Sequence, residues 1–435
     1  MYKIVILLCL FLVSSAWGNN KVCSGVDTHC CGVDDCSTRQ LMLDKQAQTM
    51  WNVVWNLFFS PKTNLFYDFV SSYEVGTQFN HLPTKQEALA CFPNTSGTGT
   101  GMEDSMILAG LVLDAIIYKY DIHKDSSLKQ YADKVLDGIV LCATIHNSQG
   151  FIARSVSALD GKTAYIGSSR DQFTQAIYGM WRYYNSPLCD DIAKVKIKRV
   201  MFDVGERMLK YMTAEHNYDY GLADGRKCPV GLSKMWNVMP HEAARLPMFY
   251  AVAWQTTGDD RFFKEYRKFI KPAIEQSKNF GKGNPGWADM QMMMSLVLLC
   301  EMENDVAIKN DIKNIMAKLG KLDNGKCVSR CQRFFKVAKD FDMSMLPPDW
   351  RRPVSWKFRK GVPHYFTPDW GDYHKVWYAG RGVGEFGWSA IHCGISKDAV
   401  RKIEDVILAS DYKKTSSCSI IYHLACYWAL KNLQQ

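Results

Sequence analysis

No later stretch of the 435-residue sequence approaches the roughly 20 apolar residues that a membrane-spanning helix needs, and the apolar run at residues 4–13 is about half that length. No membrane-spanning helix is expected. There is no Gly-x-Ser-x-Gly elbow and no Walker A lysine loop, which sets aside the serine-hydrolase elbow and P-loop nucleotide chemistry. A dominant basic tract is missing too. Lys and Arg number 53 against 44 Asp and Glu, and this formal charge of +9 is spread along the chain, which argues against a nucleic-acid partner. No self-similar period of fixed length appears, so a helical-repeat solenoid is disfavoured. Charged residues at 22% and apolar residues at 47% exclude wholesale disorder and a fibrous rod.

What is present begins with an address. Lys3, the apolar run 4–13 and the small residues of Ala16-Trp17-Gly18 read as a secretory leader, residues 1–18, so the mature chain is expected to start near Asn19 in a secreted, extracellular setting. Setting Cys9 aside from 15 cysteines leaves 14, an even number that suits an oxidising compartment. Cys23, Cys30, Cys31 and Cys36 mark residues 19–39 as a disulfide-stapled extension, and Cys327 with Cys331 suggests a short disulfide loop. Cys142, Cys300 and Cys426 lie on apolar helical stripes and read as packing thiols. Asn94-Thr95-Ser96 is a sequon, expected on a surface loop as a glycan acceptor.

Apolar spacing from residue 40 onward is helical. Segments near 104–122, 170, 241, 287, 384 and 417 have almost no polar face and must be surrounded by protein. Segments 40–59, 127–145, 190–214, 259–276, 305–319 and 397–410 carry one apolar stripe each. Six buried helices inside six half-exposed ones make an all-α fold, an (α/α)6 toroid over residues 40–435. The stretch 321–382, rich in Pro, Trp, Lys and Arg, is expected as a long loop insertion of functional character.

In such a toroid the connections 61–102, 147–168, 216–238 and 321–382 all reach one mouth, ringed by the polar residues that open the inner helices. These are Glu103 and Asp104, Arg170, Asp171 and Gln172, His241 and Glu242, Trp287 and Asp289, and Arg381 and Glu385. Acidic residues at a helix start ordinarily cap it and oppose its dipole. Several acids and aromatic rings on one concave rim are, however, what glycosidic chemistry needs: an acid to protonate the leaving oxygen, a carboxylate to activate water or attack, and flat rings to stack on sugars. Asp104 and Asp171 are the leading catalytic pair, with Glu103 as substitute for the first. Arg170, Arg245 and Arg381 are candidate clamps for an acidic sugar, with Gln172 and Glu242 beside them. His81, His241 and His374 are candidates for proton transfer or substrate contact. Trp236, Trp287, Trp370 and Trp377 are candidate sugar platforms, whereas Trp51, Trp55, Trp181 and Trp428 are placed like core. No metal site is expected, because His241-Glu242-Ala243-Ala244-Arg245 ends in a residue that cannot ligate. Nor is a cofactor: the Gly-x-Gly-x-x-Gly matches at 281–286 and 382–387 lack a strand-to-helix context, and Met292-Met293-Met294 reads as core.

The helix pattern, with Asp104 opening one inner helix and Asp171 the next, resembles the six-hairpin glycosidase superfamily and within it the unsaturated glucuronyl hydrolases and related uronate-processing enzymes. That resemblance implies that the two aspartates act as proton donor and its partner. The expected function is a secreted glycoside hydrolase on uronic-acid-containing oligo- or polysaccharide. Two alternatives are a polysaccharide lyase relying on Tyr178, His241 and Arg245, and a non-catalytic carbohydrate-binding protein on the same scaffold.

Overall fold

The computed structural model describes residues 33–435, so the expected leader 1–18 and Cys23, Cys30 and Cys31 of the stapled extension lie outside the described residues. The chain divides into two units between Leu41 and Met42, within helix α1, Val33–Val53. The description that follows concerns the second unit.

Its helices are α2 (Lys85–Leu89), α3 (Ser105–His123), α4 (Lys129–Thr144), α5 (Arg170–Tyr184), α6 (Asp191–Tyr211), α7 (Arg245–Thr257), α8 (Asp260–Ser277), α9 (Gly286–Met302), α10 (Val306–Asp340), α11 (Tyr373–Ile391), α12 (Lys397–Ala409) and α13 (Ser419–Leu433). Helix α3 is buried on every side from Ser105 to Tyr118, as its lack of a polar stripe requires. Its one buried carboxylate, Asp114, is satisfied by Arg182 at 3.0 Å and by the Trp388 indole at 2.8 Å. Helix α9, including Met292, Met293 and Met294, is equally enclosed. Helices α8 and α12 instead bury single stripes, Phe262, Tyr266, Phe269 and Ala273 in one and Ala399, Ile403 and Val406 in the other.

Packing follows this alternation. Helix α3 lies against α5, α5 against α7 and α9, α9 against α11, α11 against α13, and α13 against α3, so the series of enclosed helices returns to its start. Amphipathic helices back it: α4 on α3, α6 and α8 on α7, α10 on α9 and α11, and α12 on α10 and α11. Each fully buried Leu, Ile, Phe or Met side chain contributes about 1.5–3 kcal/mol to this arrangement. Trp51, Trp181 and Trp428 are core residues, and Trp55 packs on Tyr131 with ring centroids 4.7 Å apart.

Three expectations are corrected. Helix α10 does not stop near 319: Leu319, Asp323, Cys327, Cys331, Phe334 and Val337 continue a helical stripe that is buried against the neighbouring helices. The irregular insertion therefore covers 341–372 rather than 321–382. Cys327 and Cys331 sit one helical turn apart as buried free thiols rather than closing a loop, and the ten cysteines from Cys91 to Cys426 are all unpaired. Asn94 does not sit exposed on a surface loop. Its buried amide donates to the carbonyls of Thr98 (3.1 Å) and Phe366 (2.8 Å) while its oxygen accepts from the N–H groups of Ser96 and Thr98, which leaves it inaccessible to a glycan in the folded protein.

Two short antiparallel ladders complete the unit. Strand β1 (Phe59–Ser60) pairs with β2 (Leu65–Phe66), and β3 (Ser355–Phe358) pairs with β4 (Phe366–Asp369) in the register Ser355 to Asp369 and Phe358 to Phe366.

The tightest approach in the helix series is between α3 and α5. A Cβ on Gly110 would overlap the Gln175 carbonyl oxygen, and one on Gly179 would lie 2.7 Å from the Gly110 Cα. Neither backbone has room to retreat inside an enclosed pair. Gly110→Ala is expected to lower stability by about 1–3 kcal/mol, the usual range for overpacking, despite its gain in helix propensity. Chemical unfolding of wild type and variant checks this.

Candidate functional site

The acids that open α3 and α5 do not cap their helices. At α3, the Asp68 carboxylate accepts the backbone N–H groups of Glu103 (2.7 Å) and Asp104 (3.0 Å), while Asp104 makes no capping bond of its own. At α5, the Ser169 hydroxyl caps the N–H of Gln172, so Asp171 is not needed there. An acid that caps a helix points at its own backbone. These acids point elsewhere.

Glu103, Asp104 and Asp171 line one cavity of about 710 Å³ together with Arg154, Arg170, Trp287, Trp377 and Arg381. Its far wall is the β3–β4 hairpin, which contributes Lys357, Phe358, Arg359, Lys360, Tyr365 and Thr367, and Thr98 and Leu232 add two further connections. Six cationic side chains thus face three carboxylates, a local excess that favours an anion.

The three carboxylates differ in setting. Glu103 accepts the Gly99 N–H at 2.8 Å; burial and the adjacent Asp104 charge push it up to about 7. Gly99, with φ at +89°, makes this close turn, and a side chain there would collide with Pro368 of β4. Asp104 is buried and receives the Gln172 amide at 3.0 Å on one oxygen and Arg381 at 2.8 Å on the other. Asp171 is ion-paired to fully buried Arg245; against the upward push of burial, Arg245 and Arg170 hold it below the ordinary carboxylate range.

Several candidates are bonded to neighbouring groups of the cavity wall. Gln172 ties Asp104 to the Glu103 carbonyl at 2.9 Å. Glu242 is buried against Arg170 at 2.5 Å, and Arg170 also donates to the Gly231 and Lys234 carbonyls. Arg245 reaches Asp171 from α7 and is not itself part of the cavity lining. Other expectations are corrected. Trp236 is not at the cavity: its ring packs edge-on against Phe269 with centroids 4.8 Å apart, the amphipathic stripe of α8 offering it a larger apolar surface. His241 is not in the lining either, being buried with its ring edge toward Trp287 at 6.3 Å. His81 is buried and stacked on Phe69, pushed down to about 3 by burial and Arg351. Tyr178 lies in the core between Trp181 and Trp388.

Trp370 and His374 border a neighbouring cavity of about 420 Å³ that meets the first at Thr98, Glu103, Lys357, Thr367, Trp377 and Tyr378. Asp289 and Glu385 serve buried ion pairs, with Lys326 and Arg381 respectively. Asp68, Arg154, Gln291, Tyr365 and Tyr378 were not anticipated as site residues. Asp68 and Arg154 lie within the 61–102 and 147–168 connections, so the convergence of those connections was the available signal. Among the described residues no three His, Cys, Asp or Glu side chains are grouped to hold a metal ion.

Arg381 is the hub of this network, bonded at once to Asp104 and, at 2.6 Å, to Glu385, with its own exposure only 6%. Arg381→Ala removes the ion-pair partner of buried Glu385 and leaves Asp104 only Arg154, 4.0 Å away, and is expected to cost about 3–5 kcal/mol. The deficit should shrink as pH falls and Glu385, which burial already pushes up, protonates; urea unfolding at neutral and acidic pH measures both.

Comparison with known proteins adds little to this geometry. No protein-family model matches the chain, and no curated protein matches it. Among solved structures it is similar to a sugar epimerase from a ruminal bacterium at 11% identity and a TM-score of 0.46, over 91% of this chain and 98% of that one.

Proposed function

We propose that the protein is an exported carbohydrate-active enzyme of the glycoside hydrolase type, acting on an oligo- or polysaccharide that contains uronic acid. In this reading the closed helix series is an (α/α)6 toroid and the cavity is its mouth. One observation carries the proposal: Glu103, Asp104 and Asp171 share a cavity in which none of them is occupied with capping its own helix.

Glycosidic cleavage needs an acid that still holds its proton near neutrality and a second carboxylate that has lost it. Glu103, raised to about 7, fits the proton donor to the leaving oxygen. Asp171, held ionised by Arg245 and Arg170, fits the group that activates water or attacks the anomeric carbon. Asp104 is held in place by Arg381 and Gln172 beside the two other acids. The cation excess of the lining, with Arg359 and Lys360 on the hairpin, suits a sugar carboxylate. Half-buried Trp287 supplies a ring face for stacking, whereas Trp377 is buried among Trp370, Tyr378 and Arg381 and backs the wall. The lyase reading is less well served, because Tyr178 is sealed in the core and His241 is absent from the lining.

Asp171→Asn and Glu103→Gln are each expected to retain helical circular dichroism and lose about 10² or more in turnover. Because Glu103 acts protonated, wild-type activity should decline as pH rises through about 7, and the acidic limb should lie below the ordinary carboxylate range. Product mass from a panel of acidic and neutral glycans gives the readout, each cleavage adding one water. Full activity of Asp171→Asn contradicts the assignment.

A further inference from the structure

The two cavities that meet at Glu103 differ in character. The larger, about 710 Å³, holds Asp104, Asp171 and the arginines. The smaller, about 420 Å³, contains neither of these aspartates and no arginine; its walls are Trp370, His374, Trp377 and Tyr378 together with Pro368 and Lys357. Both volumes lie within the range of small-molecule sites, about 300–1,000 Å³. The aromatic wall has one structural origin. His374 and Tyr378 are one turn apart on α11, their rings nearly parallel at 10° with centroids 6.0 Å apart, and Trp370 stacks on the other side of His374 at 4.7 Å. Tyr378 is 46% exposed although it is large and aromatic, and it is flanked on α11 by the buried Trp377 and Ala379. Its exposed ring lines the smaller cavity beside the half-buried His374.

We propose that the smaller cavity is a second sugar subsite, in which the leaving-group residue of an oligosaccharide stacks on the Tyr378 ring while the residue to be released occupies the charged cavity. The scissile bond then lies over Glu103, the carboxyl common to both cavities. This rests on the functional reading above and extends it: the substrate spans at least two sugar units, and a free monosaccharide engages only half of the site. The chemistry of the walls sets the preference of each half. The charged half takes the acidic sugar, and the aromatic half takes whichever face of its neighbour carries the C–H groups, with little demand on its substituents.

The test uses equilibrium binding, so that it reads the groove independently of catalysis. Glucuronate and oligoglucuronates of increasing length are titrated against the full-length protein, with tryptophan fluorescence and thermal protection as readouts. The expected result is a dissociation constant about tenfold lower for the dimer than for the monomer, the size of a stacking contact. Tyr378→Ala should abolish that step by weakening the dimer about tenfold more than the monomer, and Tyr378→Phe should retain it. Equal affinity for monomer and dimer, equal weakening of both by Tyr378→Ala, or no binding of any probe overturns the proposal. Should the length step be present while Asp171→Asn keeps full turnover, the subsite stands and the catalytic assignment falls.

Discussion

Two backbone N–H groups at the start of α3 determine what the acids beside them can do. The carboxylate of Asp68, more than thirty residues earlier, accepts both and so fixes the backbone turn that carries Glu103 and Asp104 into α3. Asp104, just ahead of the first turn, makes no capping bond to the helix N–H groups that follow it. Both side chains line a cavity instead, where a charge is costly, and this cost gives them chemical use. On α5 Ser169 provides the cap, and Asp171 lines the same cavity.

Burial pushes both Glu103 and Asp171 toward the neutral form, and for Asp171 alone the arginines overcome it. The partners of the three acids differ. Arg381 and Gln172 hold Asp104, Arg245 and Arg170 hold Asp171, and Glu103 is left with a single backbone donor from Gly99. Arg154 lies near, donating to the Glu103 carbonyl at 2.9 Å rather than to its carboxylate. Neighbouring carboxylates with different partners acquire different proton affinities, which is the basis on which one fold supplies both an acid and a base. The same cations, together with those of the β3–β4 hairpin, bias the cavity toward an acidic ligand.

The helices were legible because a residue series without a polar face, such as Ile107 to Ile117, has only enclosure as a solution, and stripes such as that of α12 have only a half-exposed one. Glu103, Asp104, Asp171, Arg170 and Trp287 were legible as residues at the starts of enclosed helices. Arg381 was expected to open a helix near 384 and Trp377 to lie in a connection; α11 begins at Tyr373 and carries both within it. What was not legible depended on distant partners. The Cys327 to Cys331 spacing is equally that of a short loop and of one helical turn, and only the burial of Phe334 and Val337 beyond it decides for the helix. Asn94 has the local signature of a glycan acceptor, yet Phe366, far along the chain, claims its amide. Trp236 lies in a mouth connection by position and is drawn away by Phe269. Asp68 carries no local mark at all.

The most direct test of this electrostatic account is the titration of one carboxyl. Infrared difference spectra of wild type against Glu103→Gln isolate the C=O stretch of protonated Glu103 as pH is varied. The account predicts that this band persists at mildly acidic pH and disappears around pH 7. A band already lost near the ordinary glutamate value, about 4.3, would show that the acid is not held protonated and would contradict the mechanism built on it.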